Sequence, residues 1–122
     1  MTETIRLGDI AHARSGDKGN HANIGVVAYT TEGFDFLRRE LSAQRIQEFF
    51  HPLGPTLVER FELPRVKALN FLLHNVLSGG ASQSLRIDSQ GKLLGQAVLE
   101  LELPKPERLE SMRRGSSSPA PR

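Results

Sequence analysis

The sequence has no cysteine, no tryptophan and a single tyrosine in 122 residues. Without cysteine there is no disulfide framework, no thiolate zinc site and no cysteine nucleophile, and the composition fits a reducing compartment. No Lys/Arg face is interleaved with aromatics, so the footprint of a nucleic-acid binder is missing. No apolar run approaches the roughly 20 residues of a membrane span. Met1-Thr2-Glu3-Thr4-Ile5-Arg6 lacks the basic-then-apolar pattern of a secretory signal. The expectation is a soluble cytoplasmic protein with neither nucleic acid nor membrane as partner.

A strong excess of one charge is also lacking. Sixteen Lys+Arg against fourteen Asp+Glu give +2. From Pro104 onward, Lys105, Arg108, Arg113, Arg114 and Arg122 stand against Glu107 and Glu110 alone, so this segment carries +3 and the first 103 residues carry −1. The body is not basic. Its 38% hydrophobic content is that of one soluble globular domain.

Residues 4–11 alternate loosely and read as a strand. The polar stretch 14–21 reads as a loop, and the nearly all-apolar run 23–29 as a buried strand. Phe34, Leu37 and Leu41, then Ile46, Phe49 and Phe50, recur at helical spacing behind the capping candidates Thr30 and Ser42. They predict two short helices or one bent helix over 32–50, ended by His51-Pro52-Leu53-Gly54-Pro55. Residues 56–63 read as a strand. Val66, Leu69, Leu73 and Val76 behind Pro64 predict a helix stopped by Gly79-Gly80. Residues 84–88 alternate as a strand. Leu99, Leu101 and Leu103 predict another, with 93–98 open between strand and helical turn. Residues 104–122, rich in Pro and Ser, read as a disordered tail. The order β-β-α-β-α-β-β implies an α+β sandwich with a mixed β-sheet and two helical regions packed mainly on one face, ferredoxin-like in outline.

The segment Ser15-Gly16-Asp17-Lys18-Gly19-Asn20 is the most chemically loaded. Two glycines allow close backbone approach, exposed amides form anion nests, and Arg14 and Lys18 add charge. It suits a small polar or anionic ligand. The same residues equally suit a tight hairpin whose Asp and Asn satisfy their own backbone. It is neither a phosphate-binding P-loop, because Asn20 follows Gly19 where that motif needs lysine, nor a serine nucleophile elbow, because Ala13-Arg14 precede Ser15. Asn70 falls on the apolar side of the predicted helix, where it either faces a pocket or makes a structural hydrogen bond. His12, His21, His51 and His74 show no recognised ligand spacing, so no metal and no cofactor is expected. Asp17, Lys18 and His21 are the catalytic candidates, with His21 beside Asp17 as the general-base candidate.

The string 11–25, Ala-His-Ala-Arg-Ser-Gly-Asp-Lys-Gly-Asn-His-Ala-Asn-Ile-Gly, resembles the opening signature of the AtuA-like ferredoxin-fold domain, the C-terminal domain of acyclic terpene utilisation proteins. Ala68-Leu69-Asn70-Phe71, residues 79–86 and residues 91–97 resemble its later blocks, in order. The resemblance spans about residues 5–103, within a domain taken as 1–103. It implies a ferredoxin-like fold and a link to catabolism of acyclic terpenoids and branched acyl-CoA compounds. Long members carry a large N-terminal domain that this chain lacks, so a stand-alone version and a separately encoded large subunit are expected. The shared blocks carry Arg14, Ser15, Gly16, Asp17, Lys18, Asn20, Asn23, Asn70, Gly79 and Gly80 as ligand-binding candidates. Three roles follow: an accessory subunit binding a small anionic ligand or a partner through 14–20, a hydratase or hydrolase of a CoA thioester, or a purely structural oligomerisation domain. Homo-oligomerisation is expected because a small sheet has edges to cover.

Overall fold

The computed structural model describes residues 3–18, 21–76 and 90–114. Within them run strands β1 (Thr4–Arg6), β2 (Ala11–Lys18), β3 (His21–Ala28), β4 (Leu57–Leu63), β5 (Ala68–His74) and β6 (Glu102–Pro104). Helices α1 (Thr31–Glu40) and α2 (Ala43–Phe49) follow β3, and α3 (Gln90–Val98) precedes β6. The main sheet has the order β2-β3-β5-β4, and every pair is antiparallel. β1 and β6 form a separate ribbon with Ile5 opposite Leu103.

Alternation of side chains along a strand gives the sheet its two faces. Ala22, Ile24, Val26 and Ala28 of β3 and Leu69, Phe71 and Leu73 of β5 are buried on one of them. There they join Phe34 and Leu37 of α1, Ile46 of α2, and Leu94 and Val98 of α3 in a single core. Thr30 Oγ1 accepts from the Gly33 amide at 3.0 Å and starts α1, and Ser42 Oγ does the same for α2 from the Arg45 amide. The 32–50 region is therefore two helices.

The end of α1 is held from the sheet. Arg60 of β4 donates from Nη1 to the carbonyls of Arg38 at 2.9 Å and Leu41 at 3.1 Å. This supplies a cation and donors to carbonyls that lack helical partners. Arg60→Met should lower the unfolding free energy by about 1–2 kcal/mol, read by urea denaturation. Arg65→Met, at an exposed position, should leave it unchanged.

Several expectations are corrected. The strand read over 4–11 is broken by a 3-10 turn at Leu7–Asp9, where the Leu7 and Gly8 amides bond the Leu101 and Leu99 carbonyls. The polar stretch 14–18 is strand rather than loop, because eight consecutive pairs bind β2 to β3. The helix predicted behind Pro64 is a 3-10 turn, Pro64–Val66, followed by β5. Pairing with β3 on one side and β4 on the other overrides its 3.6-residue pattern. Residues 93–98 are helical, and the strand expected over 99–103 shortens to β6. The tail is not structureless from 104: Leu109–Met112 forms a 3-10 turn, with Leu109 and Met112 buried in the core that α1 helps to form. The expected strand at 84–88, the stop at Gly79-Gly80 and residues 115–122 lie outside the described residues.

Candidate functional site

Among the described residues, α1, α2 and α3 all contribute to one face of the main sheet, and antiparallel pairing places opposed side chains on a common face. The register therefore sets out the other face as rows. One row reads Arg14, Gly25, Asn70 and Phe61 across β2, β3, β5 and β4. The next reads Gly16, Asn23, Leu72 and Glu59. Leu57, Phe61 and Leu63 of β4 are 49%, 47% and 47% exposed on this face.

Its centre is an amide pair. Asn70 Nδ2 donates to Asn23 Oδ1 at 2.7 Å. Among the described residues, Asn23 Nδ2 and Asn70 Oδ1 make no hydrogen bond, so a wholly uncommitted donor group and acceptor stand on the surface beside the second N–H of Asn70 and the second lone pair of Asn23 Oδ1. The neighbouring glycines keep the surface low. A Cβ on Gly25 would stand 3.6 Å from Asn70 Oδ1, and one on Gly16 would meet nothing within 4 Å.

A histidine pair lies at one end of the same face. The rings of His21 and His74 are 4.7 Å apart, and His74 Nε2 is 2.9 Å from Glu59 Oε1. An ionised carboxylate only accepts, so His74 Nε2 carries the hydrogen and Nδ1 is the site for a further proton. The Asn75 amide donates to His21 Nδ1 at 3.1 Å. Neutral His21 is thereby the Nε2–H tautomer, a hydrogen-bond donor rather than a metal ligand. Asn75 holds a left-handed φ of 65°, which asparagine tolerates. Among the described residues, no group of three or more His, Asp or Glu is placed to hold a metal ion.

The fold thus brings Arg14, Gly16, His21, Asn23 and Asn70 to one face. Asn70 reaches it from a strand and not from the expected helix, because β5 replaces that helix. Ser15 points the other way: its Oγ accepts from the Gly95 amide at 2.8 Å and ties α3 to β2. Asp17 and Lys18 pair with Ala22 and His21 in the register, and their side chains lie outside the described residues, as do Asn20, Gly79 and Gly80. Sequence reading missed Glu59, Phe61 and His74. Reading 57–63 and 68–74 as an antiparallel pair would have placed all three on one face.

These features define an α+β ferredoxin-like domain with a helix-covered sheet face and a second face that those helices leave open. Residues 5–104 match the AtuA ferredoxin-like domain, and the chain belongs to that family. No curated protein and no solved structure gives a significant match. Among the described residues no helix is long and apolar enough to cross a membrane.

Proposed function

We propose that this chain is an accessory, subunit-like domain in the breakdown of acyclic terpenoid or related branched acyl-CoA compounds, and that it works by association through the open face of its sheet. The metabolic setting rests on the family. The mode of action rests on one observation: Leu57, Phe61 and Leu63 are half exposed on the face that also presents the Asn23–Asn70 pair. Apolar area around a few polar anchors is what interfaces use. Arg14, exposed in the Gly25–Asn70 row, is the cation that a small anionic ligand would meet there. The partner is a large polypeptide of the AtuA N-terminal type. Mixing the two should give a complex by size-exclusion chromatography, and Phe61→Glu, at an exposed position, should weaken it at least tenfold. A complex indifferent to both Phe61→Glu and Leu63→Glu would sink this reading.

A second reading has its own support in the Glu59–His74 pair beside His21. Here the chain is a hydratase or hydrolase of a CoA thioester. His74 Nδ1 is the base, the His21 Nε2–H is a donor to developing negative charge, and Asp17 and Lys18 are further candidates. Turnover of short, medium or branched acyl-CoA esters, cut about 100-fold or more by His74→Ala, supports it. No turnover across that panel removes it.

A further inference from the structure

We infer that the open sheet face is occupied by a second copy of this chain, with a two-fold axis parallel to the strands between β3 and β5. This rests on the reading of that face as an association surface and adds what covers it when the chain is alone: a second copy, which the large polypeptide displaces when it binds. Such an axis lays β2 of one copy over β4 of its partner, and β3 over β5. An isologous contact must be self-complementary, and the face meets that demand twice.

The first match is polar. Asn70 Nδ2 gives one of its two hydrogens to Asn23 Oδ1, and among the described residues each copy keeps a wholly uncommitted donor group on β3, Asn23 Nδ2, and a wholly uncommitted acceptor on β5, Asn70 Oδ1. The axis brings β3 against the partner's β5, so the Asn23 amide meets the partner's Asn70 carbonyl, and the converse contact repeats it. The partner's Asn70 comes over Gly25, which has no side chain of its own, beside the chain's own Asn70, whose Oδ1 would lie 3.6 Å from a Cβ there. The second match is charge. Arg14 lies on the β2 edge and Glu59 on the β4 edge, one row apart. Laying β2 over β4 sets Arg14 against the partner's Phe61 ring and the partner's Glu59 carboxylate, contacts that a guanidinium favours. A two-fold axis across the strands would instead stack β2 on β2 and bring Arg14 near its own symmetry mate, with no acceptor between them.

Four strands about 4.8 Å apart and seven residues long give a footprint of roughly 450 Å². That is small for a permanent dimer, so the association is expected in the micromolar range.

Sedimentation equilibrium of the chain alone, from about 1 to 500 μM, should show a monomer–dimer equilibrium. Phe61→Glu should abolish it with an unchanged circular dichroism spectrum. Arg14→Glu and Glu59→Arg should each weaken the dimer about tenfold, and the double variant should recover most of the loss. A chain that stays monomeric throughout overturns the inference, as does an Arg14→Glu variant that dimerises as well as or better than the parent, or a double variant that fails to recover. If the chain is monomeric and Phe61→Glu still breaks the complex with the large polypeptide, the second copy is excluded while association through this face stands. If neither experiment responds to Phe61→Glu or to Leu63→Glu, both fall.

Discussion

Phe71→Ala should lower the unfolding free energy by about 3–5 kcal/mol. Phe71 is fully buried at the middle of β5, opposite Ile24 of β3 on one side and Arg60 of β4 on the other. Truncating it removes apolar contact and leaves a void that the flanking strands cannot close, because both are fixed in register. A loss of that size is a large part of the roughly 5–15 kcal/mol that holds a domain of this kind together. The control sits one strand away. Phe61 pairs with Asn70 on the open face and is 47% exposed, so Phe61→Ala should cost less than about 1 kcal/mol in the monomer. Urea denaturation at low protein concentration reads both. Equal losses would mean that the supposedly open face is packed as tightly as the covered one.

The second large effect is expected at Gly95. Glycine inside a helix is usually a weakness, and replacing it with alanine gains about 1 kcal/mol of propensity. Here the sign reverses. A Cβ on Gly95 would stand 2.9 Å from Ser15 Oγ, 3.2 Å from the Ser15 amide nitrogen and 3.3 Å from the Arg14 carbonyl carbon. Two of these atoms are β2 backbone, and the third accepts the Gly95 amide hydrogen. Gly95→Ala should therefore destabilise despite its better propensity, and Gly95→Val should cost about 2–3 kcal/mol by overpacking. Ser15→Ala in the Gly95→Ala background should return part of the loss. A stabilised Gly95→Ala would show α3 riding higher on β2 than the structure places it.

Local chemistry was the legible part of this fold. Thr30 and Ser42 announce helix starts and do cap them. The apolar run after Asn23 is a strand with neighbours on both sides. Non-local pairing was not legible. Val66, Leu69, Leu73 and Val76 fit a helical period, yet Leu69 and Leu73 are four apart, a spacing that serves helix and strand alike. Phe71 between them decides for the strand, and only the flanking ladders make that choice energetically. The stretch 14–18 looked like a loop because polar residues and glycine are rare in covered strands. A strand with one open face accepts them.

The same holds for the site. Arg14, Asn23 and Asn70 were drawn together by family blocks, and the register explains why: 14 pairs with 25, and 25 pairs with 70. Glu59, Phe61 and His74 carry no motif, and they reach the candidate face only through the pairing of β4 with β5.

The alternation of burial along β3 and β5 has a consequence for how this domain can change. Even-numbered positions of β3 from 22 to 28, and the odd-numbered 69, 71 and 73 of β5, hold the molecule together. The positions between them, 23, 25 and 27 on β3 and 70, 72 and 74 on β5, are only partly covered. Parity in the numbering therefore sorts mutations into two independent sets, and relatives can rewrite one set while leaving the other intact. A single-residue insertion inside either strand would exchange the two sets beyond the insertion point.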